Sequence, residues 1–383
     1  MHVCIVGGGI VGLASAYELA SRGAEVTLLE KGHLGSGSTD RAVGGIRAQF
    51  SRPENVRLSL ASMASWEAFE ERFGVDVGYR REGYLFLARG EETAADLRAS
   101  AAMQADLGVP VEVLEPGEAA AHCPALRTER YTLATYSPTD GWADPHLAVQ
   151  GYAAGCRDAG VELRTGTAVT DVLTEGDRVV GVDTEAGTVD ADVVVNAAGA
   201  WAANVAAMAD VGLPVSPRRR QVAVVDPETP VPESAPLVID LESGSYFRPE
   251  REGRALVGGH VGDADAPADP ERFREKMDTD WAVTAVERAG ETARYFGPET
   301  RIRNGWAGLY AVTPDHSPIL EETVPGLVQA VGFSGHGFQH APATGRVVAD
   351  LCLDGATDLV DLGAFRGDRF ADDEGGERES HVA

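Results

Sequence analysis

Lysine is nearly missing from this chain. Of its 33 basic residues only Lys31 and Lys276 are lysines, the other 31 are arginines, and 60 Asp and Glu residues leave a formal net charge of −27. A field of that sign repels phosphate backbones and anionic lipid headgroups, so nucleic-acid and membrane-surface partners are not expected. Cysteine is equally scarce. Cys4, Cys123, Cys156 and Cys352 form no C-x-x-C pair and no metal-ligand spacing. That excludes a disulfide framework or a zinc site and points to a reduced, cytoplasmic setting. No apolar run approaches the ~18 residues that a membrane-spanning helix requires. The 45 glycines and 20 prolines show no G-X-Y period, which excludes collagen. No basic, cleavable apolar leader is read before Val3-Cys4-Ile5-Val6.

What is present is 383 residues, 44% of them hydrophobic, enough for one large or two ordinary domains with proper cores. The acids are spread along the chain rather than gathered in one tail, which reads as a surface of hydrated carboxylates. Two origins stay open: concentrated salt, where self-repulsion is screened, or a GC-rich source that favours arginine over lysine.

The first thirty residues carry the strongest pattern. Val3–Val6 reads as a buried strand leading into Gly7-Gly8-Gly9-Ile10-Val11-Gly12. Leu13, Ala16, Tyr17 and Ala20 then recur at helical spacing up to Gly23, a natural stop. A second strand, Glu25–Glu30, ends on an acid 18 positions after Gly12, close to the ~20 of a dinucleotide-binding βαβ unit. Gly7 permits the tight turn, Gly9 lets the backbone approach a pyrophosphate, and Gly12 lets the helix lie close on the sheet. The helix N-terminus offers N–H groups to the pyrophosphate and Glu30 can accept from ribose hydroxyls. These residues do not separate FAD from NAD, since both present the same ADP half.

Further along, a small-residue loop from Lys31 through Ser38 and Thr39 precedes Gly44-Gly45-Ile46-Arg47. The runs 161–164, 168–173, 178–184 and 188–190 read as a strand and a small antiparallel meander. They end in Asp192–Asn196 and the turn Ala197-Ala198-Gly199-Ala200-Trp201. Residues 326–331 read as a strand and Gly332–Gly337 as a loop able to approach a ligand. Pro342 reads as the first residue of a helix through Cys352. Alternating runs at Ser245–Arg248 and Arg254–His260 are sheet-like. The chain from about Arg366 is acidic and short of apolar residues, so 366–383 is expected to be a disordered acidic tail.

With Trp306–Tyr310, Thr313-Pro314-Asp315 and Gly332-Phe333-Ser334-Gly335-His336-Gly337 added to the opening motif, the chain to about residue 355 resembles the D-amino-acid-oxidase-like superfamily of FAD enzymes. The branches in question are glycine oxidase, sarcosine oxidase and related dehydrogenases. The resemblance implies an α/β fold: a Rossmann-like FAD-binding domain (1–79, 146–211, 301–360) interleaved with an antiparallel-sheet substrate cap (80–145, 212–300). It selects FAD over NAD. It assigns non-covalent FAD to Gly7, Gly9, Ile10, Val11, Gly12, Glu30, Lys31, Ser38, Thr39, Gly44, Gly45, Val169, Ala198, Gly199, Trp201, Gly308, Gly335, His336, Gly337, Phe338 and Gln339. Arg47 matches the arginine that anchors a substrate carboxylate in sarcosine-oxidase-like enzymes, and Tyr246, His260, Tyr310 and Gln339 fall at substrate-facing positions.

The chain departs from the family at several of these positions. Tyr310 lies where glycine-oxidase-like relatives carry a carboxylate-gripping arginine, and Gln339 where sarcosine-oxidase-like enzymes carry a lysine. Gly308 replaces the flavin-linking cysteine of monomeric sarcosine oxidases. This leaves Arg47, and secondarily Arg248, as carboxylate anchors. The family's O2-promoting lysine would fall near Leu256 or Val257, where none exists, so a dehydrogenase passing electrons to another acceptor is favoured over an oxidase using O2. His336 and His340 are four apart, a spacing suited to metal only on a helix, and with a helix starting at Pro342 no metal site is expected. The implied reaction is oxidation of the C–N bond of a small anionic amino acid or N-methyl amino acid, giving an imine. A 2-hydroxy-acid or glycerol-phosphate dehydrogenase, and a flavin-carrying subunit of a larger assembly, are the alternatives; the oligomeric state is open.

Overall fold

A computed structural model describes residues 1–261, 266–371 and 378–381. Two sheets organise it. The first has six strands in the order Ile319–Val324, Leu327–Val331, Val193–Asn196, His2–Val6, Glu25–Glu30, Glu162–Thr165. All pairs are parallel except the edge hairpin, in which Ile319 lies opposite Val331. Side chains alternate across a strand, so Val3 and Ile5 enter one core and Cys4 and Val6 another. The first core holds helices Ile10–Ser21 and Gly337–Asp354 through Leu13, Ala16, Val347 and Val348. The second holds Val172, Val179, Val182 and Val189 of the meander Val169–Glu175, Arg178–Thr184, Gly187–Asp190. A strand covered on both faces explains the unbroken apolar run at the start of the chain.

The second sheet has eight strands in the order Arg301–Val312, Ser216–Asp226, Ala255–Gly259, Ser245–Pro249, Leu237–Asp240, Tyr84–Ala88, Leu133–Ser137, Glu112–Leu114. It is antiparallel except where Leu237–Asp240 runs alongside Tyr84–Ala88. The same alternation sorts its residues. Leu85, Leu87, Phe247 and Val257 face helix Thr279–Thr292, while Tyr84, Phe86, Ile239 and Tyr246 face the other way. Among the described residues no helix is long and apolar enough to cross a membrane.

Three expectations need correcting. Arg301–Val312, assigned above to the FAD-binding part, pairs along its length with Ser216–Asp226 and belongs to the second sheet. The helix expected to begin at Pro342 begins at Gly337 and carries Pro342 inside it; proline forfeits one N–H there, and the helix continues on both sides. The stretch from 366 is ordered wherever it is described. Gly367–Phe370 forms a helical turn, Arg369 grips buried Asp315 with Nε 2.8 Å from Oδ2 and Nη2 3.1 Å from Oδ1, and Glu379 and His381 are buried. Polar residues make these contacts, which an apolar count does not register. Residues 372–377 and 382–383 lie outside the described residues.

The glycines of the opening motif act by closeness. A Cβ on Gly7, at φ +111°, would lie 2.5 Å from the Ala197 carbonyl oxygen, and one on Gly12 would lie 2.0 Å from that of Gly7. Gly12→Ala is therefore expected to cost about 1–3 kcal/mol through overpacking against backbone that has little room to yield. Gly117→Ala, with nothing within 4 Å of its Cβ, should stay within about 0.5 kcal/mol of the parent; thermal unfolding of the two variants checks the contrast.

Candidate active site

Between the sheets runs a cavity of about 530 Å³, in the ~300–1,000 Å³ range of small-molecule sites. Gly7, Gly9, Ile10, Val11, Glu30, Lys31, Val169, Ala198, Gly199 and Trp201 line it from the first sheet and its turns. Ser38, Thr39, Gly44 and Gly45 line it from the connecting loop. Arg47, Tyr246, His260, Gly308, Tyr310, Gly335, His336, Gly337, Phe338 and Gln339 complete the wall. Of the residues assigned above to FAD only Gly12 is not on the lining; it lies beneath, against Gly7.

The first group fits a dinucleotide. Helix Ile10–Ser21 starts at Gly9 with no side-chain cap and no acid in its first turn, leaving N–H groups and a partial positive charge for a phosphate. A Cβ on Gly9 would meet only Thr39 Oγ1, at 3.4 Å. Thr39 Oγ1 also accepts from Ile10 N at 3.1 Å. Glu30 is held by Gly8 N (2.8 Å) and Gly32 N (2.7 Å), which aims its carboxylate across the turn. Lys31 Nζ lies 3.7 Å over the Trp201 ring and 2.7 Å from Glu271, and Ser38 Oγ donates to the Leu309 carbonyl at 2.7 Å, tying the loop to the second sheet.

The second group fits an electron-rich ring and a small anion. Helix Gly337–Asp354 also starts with no side-chain cap and no acid in its first turn, at the cavity wall. A Cβ on Gly308 would lie 2.5 Å from Arg41 Cβ, so there is no room for a side chain at the position where the resemblance would place a flavin-linking cysteine. All four cysteines are buried elsewhere. Three tyrosines lie over glycines: Tyr84 Oη 2.2 Å from a Cβ on Gly45, Tyr246 Cζ 2.3 Å from one on Gly258, Tyr310 Cε2 2.4 Å from one on Gly335. Burial raises all three phenols, so they stay protonated.

Arg47 follows the short pairing of Gly45–Ile46 with Gly141–Trp142 and is 5% exposed. Its Nη1 donates to the Gln49 carbonyl and its Nη2 to that of His381, with His336 Nε2 at 3.3 Å. Its own N–H donates to Gln339 Oε1 at 2.7 Å, so Gln339 ties the Gly337 helix to this strand. The guanidinium lies 3.9 Å from the Phe50 ring centre. Burial lowers its pKa, against the opposing charge of Glu379; a guanidinium stays charged regardless. Burial, and then the positive charge of Arg47, pushes His336 well below the ordinary histidine range, and His340 is lowered to about 3. Both rings are neutral near pH 7.

Sequence reasoning missed Tyr84 and Arg220, which also line the cavity. Arg220 lies 5.7 Å from the Tyr310 ring. Strand alternation carried the signal for Tyr84, which shares one face with Phe86; Arg220 ends the run Arg218-Arg219-Arg220, in which no alternation singles it out. Arg248, the secondary anchor, is not on the lining; it lies 3.3 Å from Glu250 and 5.5 Å from the Trp142 ring centre. Leu256 and Val257 are buried, Val257 in the core facing helix Thr279–Thr292. His336 and His340, expected on a loop before the helix, are instead its N-cap residue and a residue of its first turn, their rings 6.2 Å apart. Among the described residues no group of three or more His, Cys, Asp or Glu could hold an ion.

Asp140, fully buried, accepts from Ala48 N (2.9 Å) and Gln49 Nε2 (3.1 Å) and so braces the segment after Arg47. Burial raises it to about 6 against these hydrogen bonds. A raised carboxyl means that the folded state binds the proton more tightly. Its contribution to stability is present below the unfolded value near ~4 and is lost as pH rises through about 6. Unfolding midpoints of the parent measured from pH 4 to 7 should fall relative to Asp140→Asn across that window; parallel curves would contradict this assignment.

The comparisons agree with this geometry. The family profile described as "FAD dependent oxidoreductase" (DAO) matches residues 2–351. FAD-dependent oxidoreductase domain-containing protein 1 of Xenopus laevis is 34% identical over 96% of this chain and 82% of its own length. Glycine oxidase of Geobacillus kaustophilus is 33% identical over 91% and 92%. The crystal structure of L-proline dehydrogenase from P. horikoshii superposes with a TM-score of 0.89 at 33% identity, covering 98% of this chain and 99% of that one. The similarity extends over nearly the whole chain and includes the strand, glycine turn and uncapped helix that fit a dinucleotide, and the chain belongs to the FAD-dependent oxidoreductase family, with FAD as its cofactor.

Proposed function

We propose that this chain oxidises the C–N bond of a small amino acid or N-methyl amino acid. One observation carries the reading. Arg47 and Arg220 line the cavity together with Tyr84, Tyr246 and Tyr310, whereas the acids among its described lining residues are Glu30 and Glu271, both on the Lys31 side. That division suits an anionic substrate end and an adenosine end. The names of the glycine oxidase and L-proline dehydrogenase relatives support the amino-acid class.

The bound flavin supplies the hydride acceptor. Arg47 and Arg220 attract the substrate carboxylate and orient the α-carbon. Their positive field also disfavours an ammonium beside them, so the amine is held as the free base, whose lone pair is available as the C–H bond breaks. Neutral His336 and the protonated phenols add no charge that would offset that field. The tyrosine rings exclude water from the reacting carbon, and the imine is hydrolysed after it leaves them.

Loading the enzyme with FAD and mixing it anaerobically with sarcosine, proline, glycine or D-alanine should bleach the flavin, while lactate, malate and glycerol phosphate should leave it oxidised. Bleaching by the second set alone would overturn the reading in favour of a hydroxy-substrate dehydrogenase. We also infer an electron acceptor other than O2. Lys31 pairs with Glu271 on the adenosine side, and Lys276 is absent from the lining, so no lysine ammonium accompanies the Arg47 and Tyr310 group. Stopped-flow reoxidation in air should be slower than turnover with an artificial acceptor; reoxidation as fast as turnover would identify an oxidase.

A further inference from the structure

The segment 378–381 reaches back to Arg47. Glu379 is 1% exposed, and its carboxylate fills a cradle at the start of helix Pro53–Glu67. Oε1 accepts from Ser51 N at 2.8 Å and Ser51 Oγ at 2.7 Å, and Oε2 from Arg52 N at 3.2 Å and Asn55 Nδ2 at 3.0 Å. The same Oε1 accepts from His381 N at 3.1 Å. That bond sets the turn through which the His381 carbonyl receives Arg47 Nη2. His381 is itself buried, its ring 5.4 Å from that of Phe86, and Ser380 N donates to Ser51 Oγ at 2.9 Å. Arg47 therefore touches the cavity on one side and this segment on the other.

The charges agree with the contacts. Burial pushes the Glu379 carboxyl up, but His381, the Ser51 donors and Arg47 outweigh it, so its net shift is downward and it is ionised near pH 7. A buried guanidinium needs a buried counter-charge. The acids lining the cavity lie on its adenosine side, and Glu379 stands out of the substrate's way.

We propose that Glu379 is a positioning residue for Arg47: anchored in the Ser51–Asn55 cradle, it holds the guanidinium through the His381 carbonyl in the orientation that receives a substrate carboxylate. The proposal rests on the reading of Arg47 as the carboxylate anchor. A glutamine at 379 would keep the volume but lose the charge and turn an amide N–H toward donors, so the His381 turn would no longer be fixed.

The test uses the FAD-loaded full chain with acetate as a carboxylate probe, read from the flavin difference spectrum, together with the KM and kcat of whichever amino acid bleaches the flavin. Glu379→Gln is expected to weaken acetate and raise KM about tenfold, the scale of one charge-assisted contact, with kcat within about twofold. Ser51→Ala, which removes a single cradle donor, should shift both in the same direction by a smaller factor, and it decides the matter if Glu379→Gln fails to retain FAD. A lower unfolding midpoint with unchanged acetate affinity and KM in these variants would reduce Glu379 to a structural staple and overturn the proposal. Arg47→Met separates the two levels: if it loses acetate while Glu379→Gln keeps it, only the role of Glu379 falls. If Arg47→Met binds acetate as the parent does, the anchor reading falls and the proposal with it.

Discussion

At the first sheet Gly12 lies against the Gly7 carbonyl and Gly7 against that of Ala197, with no space for a methyl group at either point. Helix Ile10–Ser21 can rest on the sheet only because of it. Gly345 repeats the device, since a Cβ there would lie 2.6 Å from the Ala14 carbonyl, and so helix Gly337–Asp354 is brought against the first helix. Two uncapped helix N-termini consequently open onto one cavity. Dipoles so aimed suit a ligand with a phosphate at one part and an electron-rich ring at another. The positions of both termini trace back to three residues without side chains.

Much of this was legible from local pattern. Val3–Val6, the spacing of Gly7, Gly9 and Gly12, and Glu30 at the end of the second strand each follow from a short-range rule about strands, turns and helix starts. The meander and the runs at Ser245 and Arg254 were equally readable, because period-2 alternation is a local property. What escaped was long-range. Arg301–Val312 looks like any amphipathic strand, and nothing within it says which sheet will receive it; pairing with Ser216–Asp226 decides that. Pro342 was read by its commonest role at a helix start, and the packing of Phe338 and Ala341 around it keeps the preceding residues helical instead.

The same distinction runs through the active site. Arg47 could be singled out from its neighbours Gly44, Gly45 and Ile46, but its partners Gln339, His336 and His381 lie about 290 to 330 residues away in sequence. Composition called the end of the chain disordered because Arg369, Glu379 and His381 are polar. They are ordered by specific partners, Asp315, Ser51 and Arg47, rather than by apolar area. Hydropathy has no term for a polar segment that brings its own counter-charge to a buried cation.

The tyrosines that rest on glycines carry a consequence for how such a pocket changes shape. Tyr84, Tyr246 and Tyr310 are part of the wall, and each ring occupies the space that a side chain at Gly45, Gly258 or Gly335 would need; Gly45 and Gly335 share the lining with their rings, whereas Gly258 does not reach it. At Tyr246 the volume offered to a substrate is thus written partly in Gly258, a residue the substrate need not touch. A methyl group gained at Gly258 would displace the Tyr246 ring and so change the shape offered to an N-substituent without altering the residue types of the lining. Divergence in substrate preference on this scaffold can proceed through glycine, with the chemistry of the lining preserved.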